Sequence, residues 1–197
     1  MAKLSTEELF EKYCIKKEHS IKVERLCCLI FEAVNNKLKK LSLREEKILK
    51  SSALLHDIGY FKTKGKEHNK YSFQMILEEG LSDFTEEETE LVAYICLYHR
   101  GKLPDKHEDK FFGALEKKSR KIIKRLCGIL KIADSFSDND IIKIKNIEIN
   151  YNEIENITEI ILNLKEKEED IEIFKPIKKK ELFEIGFKTH VILKVSK

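Results

Sequence analysis

The stretch that decides the fold is Ala53-Leu54-Leu55-His56-Asp57-Ile58-Gly59-Tyr60. The residues before it repeat apolar and small side chains every three or four positions, which predicts a helix with His56 on its inward face. Gly59 is predicted to end this helix. A buried imidazole beside a buried carboxylate is costly without a shared partner. A divalent metal ion would be such a partner, because nitrogen and oxygen ligands suit Mn, Fe, Zn or Ni. A hydrogen-bonded core histidine beside a helix-terminal Asp57 is the other interpretation.

Three further predicted helices place polar residues on apolar faces. His19 lies on the inward stripe of a helix over about 18–39, and His99 extends the apolar stripe of another helix by one turn. Asp134 follows the buried stripe of a helix over about 117–136. One polar residue at such a position is usually structural. Metal-capable residues on four helices favour a shared metal centre over a polar core without metal.

The hydrophobic pattern predicts a mostly α protein with a small C-terminal α+β subdomain. After Asp140 the hydrophobic pattern changes from helical to mainly strand-like, and a short helix is predicted from Pro176 to Phe187. Strands are predicted over 146–150, 159–164 and 190–195. We therefore expect a helical domain over 1–140 and an α+β subdomain over 141–197. Because about 57 residues bury too little surface to be robust alone, the subdomain should pack against the helical part.

Composition limits the function classes. The chain of 197 residues is 42% hydrophobic and 37% charged, which suits one domain with a small appendage. Its 38 basic and 35 acidic residues give only a mild positive charge, so a nucleic-acid partner is not expected, and the lysines over 117–131 are interpreted as a solvated face. Five cysteines without a CxxC pair indicate a reduced, cytoplasmic protein. The sequence has no long apolar run, so neither a membrane span nor a signal peptide is expected.

His19, the pair His56-Asp57 and Asp134, in this order, resemble the HD-domain metal-dependent phosphohydrolases. The resemblance covers about residues 10–140, and it implies that these four residues bind one metal ion. The feature that makes this resemblance specific is the order and wide separation of these residues in the sequence, rather than the His-Asp dipeptide.

A second resemblance is more detailed. The segments 54–60, 68–72, 98–100 and 129–134, and Glu181-Leu182-Phe183-Glu184 in the tail, are similar to the C-terminal half of the exopolyphosphatase/guanosine pentaphosphatase family. Two departures matter. Asn69 and Tyr71 stand where that family shows histidines in an HHKHS segment. The family's actin-like ATPase-fold domains are absent from this sequence, and its seven glycines form no phosphate-cradling loop, so we expect any catalysis to come from the metal site.

The expected function is a metal-dependent phosphohydrolase that acts on a small phosphorylated substrate, a nucleotide or polyphosphate, through metal-activated water. The ion (Mn, Mg, Fe, Ni, Co or Zn) is expected on His19, His56, Asp57 and Asp134. Asp57 is expected to orient or deprotonate the water. His68, His99 and Arg100 are expected to stabilise negative charge, and Lys70 and Arg100 to bind phosphate. In a variant of this hypothesis, Asp57 bridges to a second ion held by His68 and His99.

Two other functions stay open from the sequence. One is a non-catalytic module that binds polyphosphate or nucleotide, with or without a separate ATPase-fold partner. The other is a nuclease acting on single strands, which the modest charge disfavours. A homodimer is also left open. His107 and His190 are expected to be structural or exposed.

Overall fold

The described residues, 3–101, 106–107, 109–166 and 170–196 of a computed structural model, form a helical body followed by a small three-stranded sheet. The helical elements up to the sheet are α1 Thr6–Tyr13, α2 Lys17–Lys37, α3 Leu43–Leu55, a 3-10 turn Ile58–Phe61, α4 His68–Glu79, α5 Glu86–Tyr98, α6 Lys110–Ala114, α7 Lys117–Ala133 and α8 Asp138–Lys143. The rest comprises β1 Ile144–Asn152, β2 Ile157–Leu164, α9 Phe174–Lys179, α10 Glu181–Phe187 and β3 His190–Ser196. The predicted fold class, mostly α with a small α+β part, is confirmed.

Side-chain caps fix where three helices begin. In each, a Ser or Thr side chain accepts a hydrogen bond from the backbone three residues on, and a Glu side chain there accepts one from the cap residue's own N–H. The pairs are Ser5–Glu8, Ser42–Glu45 and Thr85–Glu88. The sequence alone indicates these helix starts, because the capping-box motif, Ser or Thr followed three residues later by Glu, itself supplies the hydrogen-bonding groups.

The core lies between α2, α3, α5 and α7, in which α3 and α7 contact each other and each also contacts α2 and α5. Their apolar stripes are fully buried, with Leu26 and Cys27 of α2 and Leu126 and Cys127 of α7 at 0% exposure. Four of the five cysteines are buried as free thiols, as expected for packing residues, and Cys28 is partly exposed. No helix in the described part of the chain is long and apolar enough to cross a bilayer.

The predicted role of Gly59 is wrong. Helix α3 ends at Leu55 and a 3-10 turn that contains Gly59 follows. Gly59 is instead a point of close approach, because a Cβ atom there would lie 1.9 Å from the carbonyl oxygen of His68 and 2.6 Å from the backbone nitrogen of Ser72. Ser72 Oγ accepts a hydrogen bond from Gly59 N (2.9 Å) and donates one to His56 O (2.7 Å). The start of α4 is thereby held against the end of α3.

The C-terminal sheet has the order β1-β2-β3, with β1 and β2 antiparallel and β2 and β3 parallel. β1 packs on α2, while α10 crosses α7 at two glycines. A Cβ at Gly128 would lie 2.7 Å from the Cα of Phe183, and one at Gly186 would lie 2.9 Å from Lys124 O. The subdomain therefore contacts the helical body through both its sheet and its helices.

Several boundaries differ from the sequence prediction. The helix predicted from Pro176 to Phe187 begins at Phe174 and divides at Lys180 into α9 and α10. Helix α8 was not predicted, and it spans the expected domain boundary at residue 140. The sequence also predicts a charged loop over 102–110 and a charged turn over 165–170. Both fall in part on residues 102–105, 108 and 167–169, which lie outside the described residues.

Candidate metal centre

Four imidazoles and two carboxylates meet where helices of the body end. His56, His99 and Asp134 are the residues that directly follow α3, α5 and α7. His68 is the first residue of α4, and Asp57 precedes the 3-10 turn. His19 joins them from the first turn of α2. Residues far apart in sequence are therefore brought together by the packing of helix termini.

The four imidazoles share one arrangement, in which Nδ1 is held by a hydrogen-bond acceptor and Nε2 is directed toward the carboxylates. The acceptors of the Nδ1–H groups are Ala53 O for His56 (2.8 Å), Cys96 O for His99 (2.6 Å), Gly65 O for His68 (3.3 Å) and Asp138 Oδ1 for His19 (2.7 Å). A backbone carbonyl only accepts, so the neutral ring carries its proton on Nδ1 and its lone pair on Nε2. A hydrogen bond of this kind, at the ring nitrogen that does not bind the metal, typically orients a metal-binding histidine.

The Nε2 atoms group around one oxygen of each carboxylate. Asp134 Oδ1 lies 3.1 Å from His19 Nε2 and 3.4 Å from His56 Nε2. Asp57 Oδ1 lies 3.0 Å from His68 Nε2 and 3.7 Å from the Nε2 atoms of His56 and His99. His56 therefore lies between two groups of donor atoms.

The donor set fits a divalent ion. His56 Nε2 is completely buried and has no hydrogen-bond partner within 3–101, 106–107, 109–166 and 170–196, although Asp134 Oδ1 lies 3.4 Å from it. Ligands that bind one ion at about 2.0–2.2 Å lie about 3–3.5 Å from each other. The ligand atoms of His19, His56 and Asp134 lie within 4.8 Å of one another, as do those of His56, Asp57 and His99. Small movements would bring either group to coordination distance.

Burial and charge shift the pKa values in this cluster in opposite directions. Burial acts to lower the pKa of His56, but the Asp57 and Asp134 carboxylates outweigh it and raise this pKa to about 9. Burial, reinforced by the positive charge of His56, lowers the pKa of His99 to about 3. Burial would raise the pKa of both carboxyls, yet the imidazoles hold them below their usual range. An ion that binds His56 must therefore displace a proton.

The structure brings together six of the eight predicted site residues. Lys70 lies away from the cluster, because its exposed Nζ pairs with Glu67 at 2.6 Å. Arg100 is exposed and lines an open pocket beside His99 rather than entering the cluster. His68 and His99 were expected to contact phosphate, but at 0% and 3% exposure they lie inside the cluster. Their position suits the variant hypothesis in which Asp57 connects two ions.

Three residues around the cluster were missed from the sequence. Asp138, at the start of α8, orients His19. The ring of Tyr60 stacks on His68, with centroids 3.9 Å apart. Lys16 Nζ lies 3.5 Å above the Tyr60 ring and 3.5 Å from Asp57 Oδ2. Asp138 follows Ser137, a residue type that commonly caps helices, and this could have predicted the start of α8. The helical periodicity of the sequence does not indicate Lys16 or Tyr60.

Lys131 was predicted to lie off the buried stripe of α7, and this is wrong. It is 6% exposed, and its Nζ donates hydrogen bonds to Tyr98 O at 3.2 Å and to Gly101 O. α9 and α10 pack on α7, so they cover a face that the helical body alone would leave open. Helical periodicity does not contain this information, since the covering residues come from the other end of the chain.

The fold and the cluster define a helical protein with a His/Asp site able to hold a divalent ion. The model of the family Ppx/GppA phosphatase, domain III, matches residues 2–182, and the chain belongs to this family. The resemblance to the exopolyphosphatase/guanosine pentaphosphatase family is confirmed at this level. No curated protein matches the chain.

Proposed function

We propose that the chain is an HD-type, metal-dependent phosphohydrolase that acts on a small phosphorylated substrate. The observation that carries this proposal is the set of four imidazoles, each fixed at Nδ1, whose Nε2 atoms converge on two carboxylates. A hydrogen-bonded polar core does not explain why the fully buried His56 Nε2 has no hydrogen-bond partner in the part of the chain that the structure describes. Membership of a phosphatase family supports phosphate esters or anhydrides as the substrates.

Two groups of ligands are available in this cluster. His19, His56, Asp57 and Asp134 would hold one ion, and His68 and His99 would hold a second one with Asp57 between them. A bound divalent ion supplies Lewis acidity at a phosphoryl oxygen and makes water nucleophilic near neutral pH. The chain itself fixes the ligand geometry through the Nδ1 hydrogen bonds and keeps His68 away from solvent.

The edge of the cluster formed by His19 and Asp134 is where substrate would enter. The side chains of both residues are 22% exposed, whereas His56 and His68 are fully buried. Open pockets reach this edge from two sides, one beside Lys16 and His19 and the other beside His99 and Asp134. A phosphoryl group at this edge would be within the field of Lys16 on one side and of Arg100 on the other.

Asp57 would position the reacting water rather than remove its proton. Its Oδ1 is directed at three imidazoles, whereas its Oδ2 faces Lys16 at 3.5 Å. The lowered pKa of Asp57 makes it a weak base, so orientation is the role that fits its environment.

A binding module is the second candidate function. The family that matches is a single domain, domain III, of a phosphatase. A chain of this kind could bind polyphosphate or nucleotide for a separate ATPase-fold partner. It would retain the cluster for stability rather than for turnover.

The test begins with metal analysis of protein purified without chelator. We expect one or two divalent ions per chain, and their loss in the double variant His56→Ala/Asp57→Ala. The matched control, Asp170→Ala/His190→Ala, removes an exposed residue of each type outside the cluster and should keep the metal. Metal that persists in the His56/Asp57 variant would contradict the ligand assignment.

Phosphate release should then be measured with nucleotides, guanosine tetra- and pentaphosphates and polyphosphate, with Mn²⁺, Mg²⁺, Ni²⁺ and Co²⁺ each supplied. We expect hydrolysis that disappears in Asp57→Ala. Bound metal and tight binding of polyphosphate without hydrolysis of any substrate would favour the binding module instead.

A further inference from the structure

A basic groove lies at the end of α7 that is farthest from the His/Asp cluster. It has a volume of about 770 Å³, and the described residues that line it include eight basic side chains and no carboxylate. α7 supplies five of the eight: Lys117, Arg120, Lys121, Lys124 and Arg125. Because a helix rises about 1.5 Å per residue, Lys117 lies about 25 Å along α7 from Asp134. This surface, which we call the α7 groove, is therefore separate from the proposed reaction site.

The cations of the α7 groove have almost no acidic partners among the described residues. Arg125 is the exception, since its Nη1 lies 4.0 Å from Glu45 Oε1. No ion pair in the described part of the chain involves the other seven. Exposed lysines elsewhere do form such pairs, as Lys50 does with Glu46 at 2.7 Å. Like charges held in one concavity repel each other, and a polyanion would relieve that repulsion.

The first turn of α7 carries positive charge where this charge does not stabilise the helix. The N-terminus of a helix has a partial positive charge, so acidic side chains stabilise it and basic side chains destabilise it. Helices α1, α3 and α5 have Glu in their first turn, whereas α7 has no acidic residue there and begins with Lys117-Lys118. Glu116 precedes α7 but makes no side-chain capping hydrogen bond to the described backbone. The stability of α7 therefore does not account for its basic start.

The C-terminal subdomain adds two aromatic rings to the α7 groove. The sequence over 117–131 contains no aromatic residue, but folding brings Tyr151 of β1 and Phe187 of α10 to the walls of the groove. Tyr151 is 39% exposed, and its hydroxyl donates a hydrogen bond to Asn156 Oδ1 at 3.3 Å. Phe187 is half-buried, with its ring centroid 4.4 Å from that of Phe183. Aromatic rings beside a row of cations form the kind of surface on which single-stranded nucleic acid stacks its bases while the cations hold its phosphates.

We propose that the α7 groove binds single-stranded nucleic acid, with phosphates on the lysines of α7 and a base stacked on Tyr151. This binding site goes beyond the proposed phosphohydrolase function and does not depend on the His/Asp cluster. The net charge of +3 for the whole chain conceals the site, because the acidic residues that balance the charge lie outside the described walls of the groove. Lys117, Lys121 and Lys124 span about 10 Å along α7, which is enough for successive phosphates of an extended strand. A duplex, or a polyanion without bases, would engage the lysines but leave the two rings unused.

The test titrates the full chain into a fluorescein-labelled oligouridylate of about ten nucleotides and follows the fluorescence anisotropy. For single strands, the logarithm of the binding constant falls with the logarithm of the salt concentration with a slope of about −0.7 per phosphate neutralised. The triple variant Lys117→Gln/Lys121→Gln/Lys124→Gln should bind at least about tenfold more weakly at low salt. Its slope should also be shallower by about 2, because three phosphate contacts are lost.

A charge-matched control separates the α7 groove from general electrostatics. The variant Lys66→Gln/Lys145→Gln/Lys165→Gln removes three exposed lysines that do not line the groove. Its affinity for the oligouridylate should stay within about twofold of the wild type, because distant surface charges are screened by salt. An unchanged affinity in the α7 variant, or an equal loss in the control, would overturn the proposal.

Variants of Tyr151 test the stacking contact, which the lysine variants do not. Tyr151→Ala should weaken oligouridylate binding by about tenfold without changing the salt slope, because it removes a ring and no charge. Tyr151→Phe keeps the ring and should bind like the wild type. Tyr151 is exposed, so neither variant removes a core side chain. Wild-type affinity in Tyr151→Ala would overturn the assignment to nucleic acid.

Competition identifies the class of polyanion. Inorganic polyphosphate has no bases, so its affinity as a competitor should be the same for the wild type and for Tyr151→Ala. An equal loss of affinity for polyphosphate and for oligouridylate in Tyr151→Ala would overturn the stacking role and with it the proposal. Oligodeoxythymidylate of the same length shows which strand is recognised. Affinity equal to that of oligouridylate would support the groove and indicate recognition without the 2′-hydroxyl, and weaker affinity would support it and indicate RNA.

Discussion

Gly59 shows how one missing side chain can position a metal ligand. The backbone of α4 passes so close to Gly59 that any Cβ would overlap the carbonyl oxygen of His68. We expect Gly59→Ala to lower the free energy of unfolding by about 1–3 kcal/mol, because the clash is with backbone and cannot be relieved by a side-chain rotation. The same shift should move His68 and reduce metal retention.

Denaturant unfolding and metal analysis would test this expectation. Gly65→Ala is the matched control, since the one described atom within 4 Å of a Cβ there is the Thr63 hydroxyl oxygen at 3.3 Å, which can move. Equal stability and metal content in the two variants would contradict the role assigned to Gly59.

At the same scale, the sequence predicted some site residues better than others. His19, His56, His99 and Asp134 could be placed because each continues an apolar helical stripe, and the structure brings their side chains together. Lys131 could not, because its burial depends on α9 and α10 covering α7. Lys70 was chosen for its nearness in sequence to His68, but two positions along a helix turn a side chain to the other face.

Among the elements, the short helix α8 has a function that its length does not suggest. It begins at Asp138, shortly after Asp134, and Asp138 Oδ1 lies 2.7 Å from His19 Nδ1. Carboxylates that orient a ligating histidine typically contribute 10- to 100-fold to metal affinity. We therefore expect Asp138→Ala to weaken metal binding by about that factor while the ligands themselves stay in place.

Competition with a chelator of known affinity would measure this effect. Asp140→Ala provides the comparison on the same helix, because Asp140 accepts a hydrogen bond from Ser137 Oγ and does not contact His19. If both variants lose metal affinity equally, the effect comes from α8 as a whole rather than from the contact with His19.

The elements also differ in how well they could be predicted. Long amphipathic helices such as α2 and α7 repeat their pattern over several turns. Capping boxes mark where α1, α3 and α5 begin. α6 and α8 have five and six residues, too few for a period to show. All three strands were predicted, although β1 begins at Ile144 rather than at residue 146 and β2 at Ile157 rather than at residue 159.

For the whole molecule, the contact of α10 with α7 decides whether the chain unfolds as one unit. The backbone of Phe183 lies against Gly128 and its side chain is fully buried, so Phe183→Ala removes a large buried side chain next to this contact. We expect a loss of about 3–5 kcal/mol in the free energy of unfolding and a single transition in both the wild type and the variant.

Unfolding followed by far- and near-ultraviolet circular dichroism would test that expectation. Ile185→Ala, on the same helix but 49% exposed, should cost much less. Two separate transitions in the wild type would show that the C-terminal subdomain is an independent unit and would contradict the prediction that it depends on packing against the helical body.

The stack of Lys16, Tyr60 and His68 gives the molecule an optical reporter. The chain contains six tyrosines and no tryptophan, so its intrinsic fluorescence comes from tyrosine alone. Tyr60 lies face to face with the His68 ring, and Lys16 covers its other side. A change in the charge or coordination of that imidazole therefore alters the surroundings of one emitter directly, which allows the state of the site to be followed by light without a label.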